Sequence, residues 1–337
     1  MAAPDTRPSV LVAGGAGYVG SHVCKALATA GYCPVTYDNL SQGHRWAVRW
    51  GPLERGDLGH AARLENAINR HRPIAVIHLA GFIAAGESVA EPAKYYANNV
   101  LGTLSLLNVM RRCNLERLVF SSSAAVYGEP QATPITEGHA LQPVSPYGAS
   151  KAMCERLLQD FAAAYGLRSI SLRYFNAAGA DPQGEIGEAH RVETHLIPLV
   201  LEVAAGRRDQ VLVYGDDYPT ADGTCVRDYV HVSDLAAAHV LALRHLEQAT
   251  GALAFNLGSG TGASVLEVIQ AAQRVTSRPV ATSIRPRRLG DPAVLVADPS
   301  HAKRVLGWHP QFPDLDRQVT TAWNWHSKVP VQAVGGV

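Results

Sequence analysis

Ser9-Val10-Leu11-Val12-Ala13-Gly14-Gly15-Ala16-Gly17-Tyr18-Val19-Gly20 is the stretch that decides the fold of this chain. Its first five residues are a short apolar, β-branched run, as expected of a buried parallel strand. A glycine loop follows, and then residues 21–30 at helical period, ended by Gly31. Strand, glycine loop and helix start are the context in which spaced glycines carry meaning. They fall as Gly14-x-x-Gly17-x-x-Gly20. Gly14 permits the tight turn, Gly17 lets backbone N–H groups approach a pyrophosphate, and Gly20 allows close packing of helix on strand. The helix N-terminus adds partial positive charge.

Outward from the loop, Pro34-Val35-Thr36-Tyr37 is a second strand, ending in Asp38-Asn39. An acidic residue about 20 residues past such a loop hydrogen-bonds the adenosine ribose hydroxyls and repels a 2′-phosphate. Asp38 therefore favours NAD over NADP; its other use would be as a helix cap. Leu53-Glu54-Arg55-Gly56-Asp57-Leu58 reads as a third strand, with Asp57 where the adenine should lie. Residues 61–71 form a crossover helix stopped by Pro73. Ile74-Ala75-Val76-Ile77-His78-Leu79-Ala80-Gly81 is a fourth strand running into another glycine turn, with His78 as a core histidine. Residues 95–112 make a long helix carrying Asn98 and Asn99. Leu118-Val119-Phe120 is a fifth strand that delivers Ser121, Ser122 and Ser123 at its carboxyl end, the end where such sheets bind ligands. The alternation of strands and helices predicts an α/β fold, a Rossmann-like doubly wound parallel sheet.

Ser145-Pro146-Tyr147-Gly148-Ala149-Ser150-Lys151 supplies candidate chemistry. On a helix, Tyr147 and Lys151 are four apart and share a face. A nearby cation favours the phenolate and lowers the tyrosine pKa from its reference near 10. A tyrosine tuned in that way can act as a base near neutral pH. A hydroxyl of Ser121 to Ser123 can pass a proton between substrate and phenolate. Alone, Tyr-x-x-x-Lys also fits a surface pair; the nucleotide-binding pattern upstream is what lifts it above that reading.

Composition narrows the class. With 337 residues, 47% hydrophobic and 18% charged, the chain has ordinary globular composition and length for one large or two modest domains. A net charge of +1 gives no reason to expect nucleic acid or an anionic membrane as partner. No apolar run approaches the roughly 20 residues of a spanning helix. The first eight residues are too short and polar for a signal peptide. Cys24, Cys33, Cys113, Cys154 and Cys225 are odd in number and scattered, which reads as reduced thiols of a cytoplasmic protein. The fourteen histidines form no HExxH or similar set, so no metal is expected.

Gly14-x-x-Gly17-x-x-Gly20, Asp38, Ser123 and Tyr147-x-x-x-Lys151 together resemble the extended short-chain dehydrogenase/reductase family. Further blocks are similar to its UDP-sugar 4-epimerase branch over nearly the whole length. They are Gly86-Glu87-Ser88-Val89, Ser121 to Gly128, Leu172-Arg173-Tyr174-Phe175-Asn176, Tyr218 to Thr224, Val226 to Val232 and Pro286 to Asp291. The resemblance implies NAD-dependent C4 epimerisation of a UDP-hexose through a transient 4-keto sugar. It makes Tyr147 the base, Lys151 its tuner and a holder of the nicotinamide ribose, and Ser123 the relay. For the cofactor it implies Gly14, Gly17, Tyr18, Val19 and Gly20, then Asp38, Asn39, Leu40, Ser41, Gln42 and Gly43. Asp57, Leu58, Leu79, Ala80, Gly81, Ile83, Asn99 and Phe175 complete that set, with Ser123, Tyr147 and Lys151. For the UDP-sugar it implies Asn176, His195, Leu196, Arg227, Arg288 and Asp291, with Tyr214 near the uracil, Leu295 beside the sugar, and Ser123 and Tyr147 at the reacting carbon.

Three departures from the family pattern bear on function. Ile83 stands where members carry a lysine near the cofactor phosphate, and Thr194-His195 replaces an Asn-Asn pair. Leu295 stands where members gate the sugar's 2-substituent with tyrosine or a smaller residue. Sugar-nucleotide 4,6-dehydratases share the cofactor site but carry Asp-Glu where this chain has Ala124-Ala125. Epimerases of UDP-pentoses or UDP-N-acetylhexosamines, and a non-catalytic NAD-binding protein, are the other readings.

From Ala177 the pattern loosens. Residues 181–194 read as a loop over the site, 195–205 as helix, and 233–248 as helix with Ser233 as its cap. The expected division is an NAD-binding domain over 1–176, part of 225–260 returning to it, and a smaller C-terminal α/β UDP-sugar domain over 177–337. A frayed tail is expected from Val329. Residues 95–112 and 150–165 carry apolar residues on more than one face, and the family pairs these helices into a homodimer.

Overall fold

Strand β1 (Ser9–Ala13) is buried from Val10 onward. It pairs in parallel with β2 (Cys33–Asp38) on one side and, across the sheet, with Ala75–His78 on the other. Its alternate residues point to opposite faces. Val10 and Val12 join one apolar cluster, with Val23 and Leu27 of the helix Tyr18–Thr29 and with Leu235 and Ala238 of the helix Val232–His245. Leu11 and Ala13 join the other, with Leu64 and Ile68 of the helix Ala61–His71, Leu106 and Leu107 of the helix Gly102–Arg112, and Leu158 of the helix Pro146–Tyr165. Helices on both faces of one parallel sheet are what the continuous apolar strands call for.

This computed structural model describes residues 6–288 and 290–328. The remaining strands of the main sheet are β3 (Leu53–Arg55), β4 (Ala75–His78), β5 (Arg117–Ser123), β6 (Arg168–Tyr174) and the strand Ala252–Leu257. The spatial order is β3-β2-β1-β4-β5-β6 and then Ala252–Leu257, seven strands in all. The direction of strand addition reverses between β1 and β4, and ligands of such sheets bind in the crevice at that switch point. The chain after residue 177 builds a third apolar cluster from Ile197, Val200, Val211, Val268, Ala272 and Val319. Small sheets frame it: Val211–Tyr214 with Thr282–Arg285, and Val226–Arg227 between Ala263–Ser264 and Val294–Leu295.

Several local expectations change. Ser233 is not a cap: it lies inside the helix Val232–His245, and the N-cap is His231, whose Nδ1 accepts the Ser233 amide at 3.1 Å. The third strand stops at Arg55, so Asp57 and Leu58 lie in the loop beyond it. The long helix begins at Pro92 and contains a π-helical stretch, Tyr96–Leu101. Its wider turn carries Asn99, whose amide clasps the Phe82 backbone, accepting from Phe82 N at 2.9 Å and donating to Phe82 O at 3.1 Å. His78 is fully buried against Thr103 (2.9 Å), and burial depresses its pKa to about 3. Among the described residues, no helix is long and apolar enough to cross a membrane. The expected frayed tail lies outside them.

Candidate active site

The glycine loop has the geometry its spacing demands. Gly14 adopts φ +83°, and a Cβ there would lie 2.5 Å from the amide nitrogen of Ala80 on the neighbouring strand end. A Cβ at Gly20 would lie 2.1 Å from the Gly14 carbonyl oxygen, so only glycine lets helix and loop close. Asp38 ends β2 beside this loop. Its carboxylate accepts the Ala16 amide (3.0 Å) and the Leu40 amide (2.8 Å), which leaves no role as a helix cap. Burial raises its pKa, and the two amides work against that rise.

A crevice of about 440 Å³ runs along the strand ends. It is lined by Gly14, Gly17, Asp38, Asn39, Ser41, Gln42, Gly43, Asp57, Leu58, Leu79, Ala80 and Gly81. The glycine cradle at one side and the acidic residue at the end of β2 fit the two halves of a dinucleotide. Other expected cofactor residues sit around this crevice in different ways. The Tyr18 phenol turns away to donate to the Gly179 carbonyl (2.6 Å). Val19 packs against the core, and Ile83 is 46% exposed. Asn99 donates to Ser150 Oγ (3.0 Å) and so joins the π-helical stretch to the helix of Tyr147.

Tyr147 occupies the first turn of the helix Pro146–Tyr165. Pro146 pre-sets the helical φ, and the Ser145 hydroxyl caps the Gly148 amide (3.2 Å). The Tyr147 amide, one of the groups a helix start leaves without an internal partner, donates to the fully buried Ser88 hydroxyl (3.1 Å). Ser123 ends β5, level with Tyr174 of β6. Its hydroxyl, which also accepts the Ala125 amide (3.2 Å), lies near enough to the Tyr147 phenol to favour its ionised form. Lys151 is 3% exposed; its Nζ donates to the Ser121 carbonyl (2.8 Å) and lies 6.0 Å from the centroid of the Tyr147 ring.

The electrostatics differ from the expectation. Burial raises the Tyr147 pKa above 10, and the nearby Ser123 hydroxyl only moderates it. The Lys151 cation is anchored on a backbone carbonyl rather than on the phenol, and burial lowers its own pKa to about 8. In this state desolvation dominates at the phenol.

Beneath the trio lies a buried network that sequence reasoning missed. Glu155 accepts from the Arg173 guanidinium (2.5 and 2.9 Å) and from Ser122 Oγ (2.5 Å). Arg173 also donates to the Tyr127 hydroxyl (2.9 Å), which donates to Asn256 (2.6 Å). The signal was present: Glu155 follows Lys151 by four residues on one helix face, and Arg173 interrupts an apolar strand.

On the far side, Val294–Leu295 runs in register with Val226–Arg227, so Leu295 lies beside Arg227. Arg227 donates to the Pro292 carbonyl (2.9 Å) and pairs with Asp291 (3.5 Å). The Arg288 guanidinium stacks 3.8 Å above the Tyr214 ring. Phe175 and Leu295 pack on one small cluster with Val126, Tyr127 and Ile135. The Asn176 amide bonds the Asp228 carbonyl (2.9 Å). His195 caps the helix Leu196–Ala204, and its Nδ1 faces Glu188 and Glu193, both at 2.9 Å. Burial opposes protonation there, but the two carboxylates win and raise its pKa to about 10.

Comparison with known proteins adds the following. The sequence profile of the NAD dependent epimerase/dehydratase family matches residues 10–258. A UDP-glucose 4-epimerase of Rhizobium meliloti is 51% identical over 320 residues, 95% of this chain and 97% of the relative. The crystal structure of UDP-glucose 4-epimerase from Brucella ovis in complex with NAD superposes with a TM-score of 0.92 at 54% identity, covering 94% of this chain and 97% of that one. That of UDP-glucose 4-epimerase from Bifidobacterium longum, with NAD⁺ and UDP, gives 0.91 at 40% identity, with 95% and 98% covered.

Proposed function

This chain belongs to the NAD dependent epimerase/dehydratase family, and from that premise we propose that it is a UDP-glucose 4-epimerase, interconverting UDP-glucose and UDP-galactose through a 4-keto sugar. The observation that carries the reading is the meeting of Ser123, Tyr147 and Lys151 at the carboxyl end of β5, beside a crevice shaped for a dinucleotide. When bound, NAD supplies the reversible hydride acceptor for C4 and is unchanged over a full turnover. Asp38 and the glycine loop would hold its adenosine and pyrophosphate, and Lys151 its nicotinamide ribose.

Tyr147 takes the proton of the sugar O4, directly or through the Ser123 hydroxyl, and later returns it. Around the substrate, Asn176, His195, Leu196, Tyr214, Arg227, Arg288 and Asp291 grip the UDP moiety. Guanidinium groups suit this because they meet phosphate oxygens in a bidentate fork. Anchoring is firm at the nucleotide and loose at the hexose, so the oxidised sugar turns over without leaving. Ala124 and Ala125 offer no acid pair for eliminating water, which disfavours a dehydratase. Leu295, next to Arg227 and Phe175, borders the sugar and sets the preference for hexoses over N-acetylhexosamines.

The working division is an NAD-binding part over 1–176, completed by segments of 225–260, and a UDP-sugar part in the remainder. Support for it is the strand Ala252–Leu257 beside β6. A cytoplasmic homodimer completes the proposal; five cysteines free of disulfides accord with a reducing compartment. Incubating the purified protein with UDP-glucose, UDP-galactose, UDP-N-acetylglucosamine and UDP-xylose, and resolving C4 epimers, tests the function. Turnover of UDP-glucose is expected; its absence in NAD-loaded protein would sink the reading.

A further inference from the structure

Four side chains of one short segment converge on a point outside the catalytic trio: Glu188, His190, Glu193 and His195. One ligand atom from each lies within 4.8 Å of all the others. Nδ1 of His195 is 2.9 Å from a carboxylate oxygen of Glu188 and of Glu193, and Nδ1 of His190 is 3.2 Å from each of the same two carboxylates. Both rings thus present the same nitrogen to the same pair of acids. Glu188 is buried and Glu193 half-buried, with their side chains 5% and 9% exposed.

Isolated ion pairs place each imidazolium on its own carboxylate. Here all four groups surround one centre. We propose that this is a structural Zn²⁺ site with a closed set of four protein ligands, two imidazole nitrogens and two carboxylate oxygens. The spacing is within reach: a tetrahedral Zn²⁺ about 2.0–2.2 Å from nitrogen and oxygen ligands requires ligand atoms about 3.3–3.6 Å apart. Three of the six edges of such a tetrahedron, two on Glu188 Oε1 and one on Glu193, stand at 2.9–3.2 Å and would open by a few tenths of an ångström, while the others, which extend up to 4.8 Å, would close around the ion. Charge balances as well: the dication takes the place of the imidazole protons, the two rings bind as neutral ligands, and two carboxylates neutralise the ion. Mixed imidazole and carboxylate donors in a four-coordinate arrangement favour Zn²⁺ over Mg²⁺ or Ca²⁺, which take more oxygens.

The surroundings are built to hold such ligands. Glu193 also accepts the amides of Thr194 and His195, both at 2.8 Å, which fixes its carboxylate. The Glu188 carbonyl accepts the Trp325 indole N–H (3.0 Å), and the Ala189 carbonyl bonds His44 (2.6 Å). Ligation through Nδ1 of His195 places its proton on Nε2 and locks the ring at the start of the helix Leu196–Ala204. The metal would thereby clasp residues 188–195 against Tyr18 and His44, at the edge of the cofactor crevice. The pattern Glu188-x-His190-x-x-Glu193-x-His195 is visible in the sequence; it passes unnoticed because it is irregular and lies in a loop.

The test uses the full chain without a histidine tag. Elemental analysis of the dialysed protein is expected to give about one Zn²⁺ per chain, and Co²⁺ exchanged into it should show the intense visible absorption of a tetrahedral site. Glu193→Gln and His190→Ala should each cut bound metal at least tenfold while bound NAD shows that the fold survives. Chelation of the wild-type protein, which needs no variant to fold, should lower Tm, and added Zn²⁺ should restore it. Protein that is metal-free, takes up neither Zn²⁺ nor Co²⁺ at micromolar concentration and keeps its Tm in chelator would overturn the site and leave four ion-paired side chains. Equal metal content in wild type and both variants would assign the metal to other histidines and overturn it too.

Discussion

In the proposed reaction Tyr147 exchanges a proton with a substrate oxygen, and its surroundings set how well it would do so. Burial holds the phenol above its ordinary pKa and the Ser123 hydroxyl draws it back. Tyr147→Phe removes the base without removing the ring. It should fold, retain NAD and lose about 10²–10⁴ in turnover, the usual worth of a general base; steady-state kinetics with absorbance of bound nucleotide reads both. Lys151 makes the opposite trade. Its folded pKa of about 8 lies below the unfolded reference near 10.4, so the charged form is penalised in the fold. That penalty is complete below pH 8 and is relieved as pH rises from 8 to about 10. Lys151→Met should therefore stabilise the protein near pH 7, by an upper bound of roughly 3 kcal/mol at 1.36 kcal/mol per pKa unit, reduced by loss of the bond to Ser121. The difference in Tm from wild type should shrink toward pH 10, and a constant difference would contradict it. At Leu295 the issue is volume. Crowding an added group into a packed site costs about 1–3 kcal/mol, or roughly 5- to 150-fold. UDP-N-acetylglucosamine should be the poorer substrate by that factor; Leu295→Ser should narrow the gap and Leu295→Tyr abolish the N-acetyl activity, as kcat/KM on both substrates will show.

Between elements, the Glu155–Arg173 pair ties the helix of Tyr147 to β6, and the bond from Ser122 to Glu155 extends the tie to β5. Removing one partner leaves a buried charge unpaired, which typically costs about 3–5 kcal/mol. Glu155→Ala should lose that much in urea unfolding, whereas Glu155→Met with Arg173→Met should recover most of it, because matched apolar groups need no compensation. Equal losses in the single and double variants would show that the pair does not act as a unit. These residues also mark how far sequence reaches. The parallel sheet, the glycine loop and the Tyr–Lys helix were legible because each is local: a strand run, a three-residue glycine repeat, a four-residue spacing. The π-helical stretch at Asn99, the His231 cap and the anchoring of Lys151 on the Ser121 carbonyl were not, since each depends on a partner distant in the chain or on burial that only tertiary packing supplies. Arg173 and Glu155 lie between these cases, odd enough to be noticed but paired only across the fold.

At the scale of the whole molecule, the two helices expected to meet a second copy carry what such a contact needs. Leu101 is 61% exposed and Met153 47%, where burial of a large apolar side chain is the rule. Leu101 and Leu104 are three residues apart, and Ala149, Met153 and Leu157 recur at intervals of four, all at least partly exposed, so each helix carries an apolar stripe. The two helices already pack on one another. A second copy would complete a four-helix arrangement, the geometry in which such stripes bury one another at shallow crossing angles. A stable contact of this kind removes about 1,600 Å² from water. Sedimentation at micromolar concentration should give twice the chain mass. Met153→Glu should shift that mass toward the single chain, because a carboxylate buried in an apolar interface has no partner to offset its desolvation. Its effect should be strongest above the glutamate pKa near 4.3. A single-chain mass in the wild-type protein, or a Met153→Glu variant as fully dimeric as its parent, would place the apolar stripes outside any interface between copies.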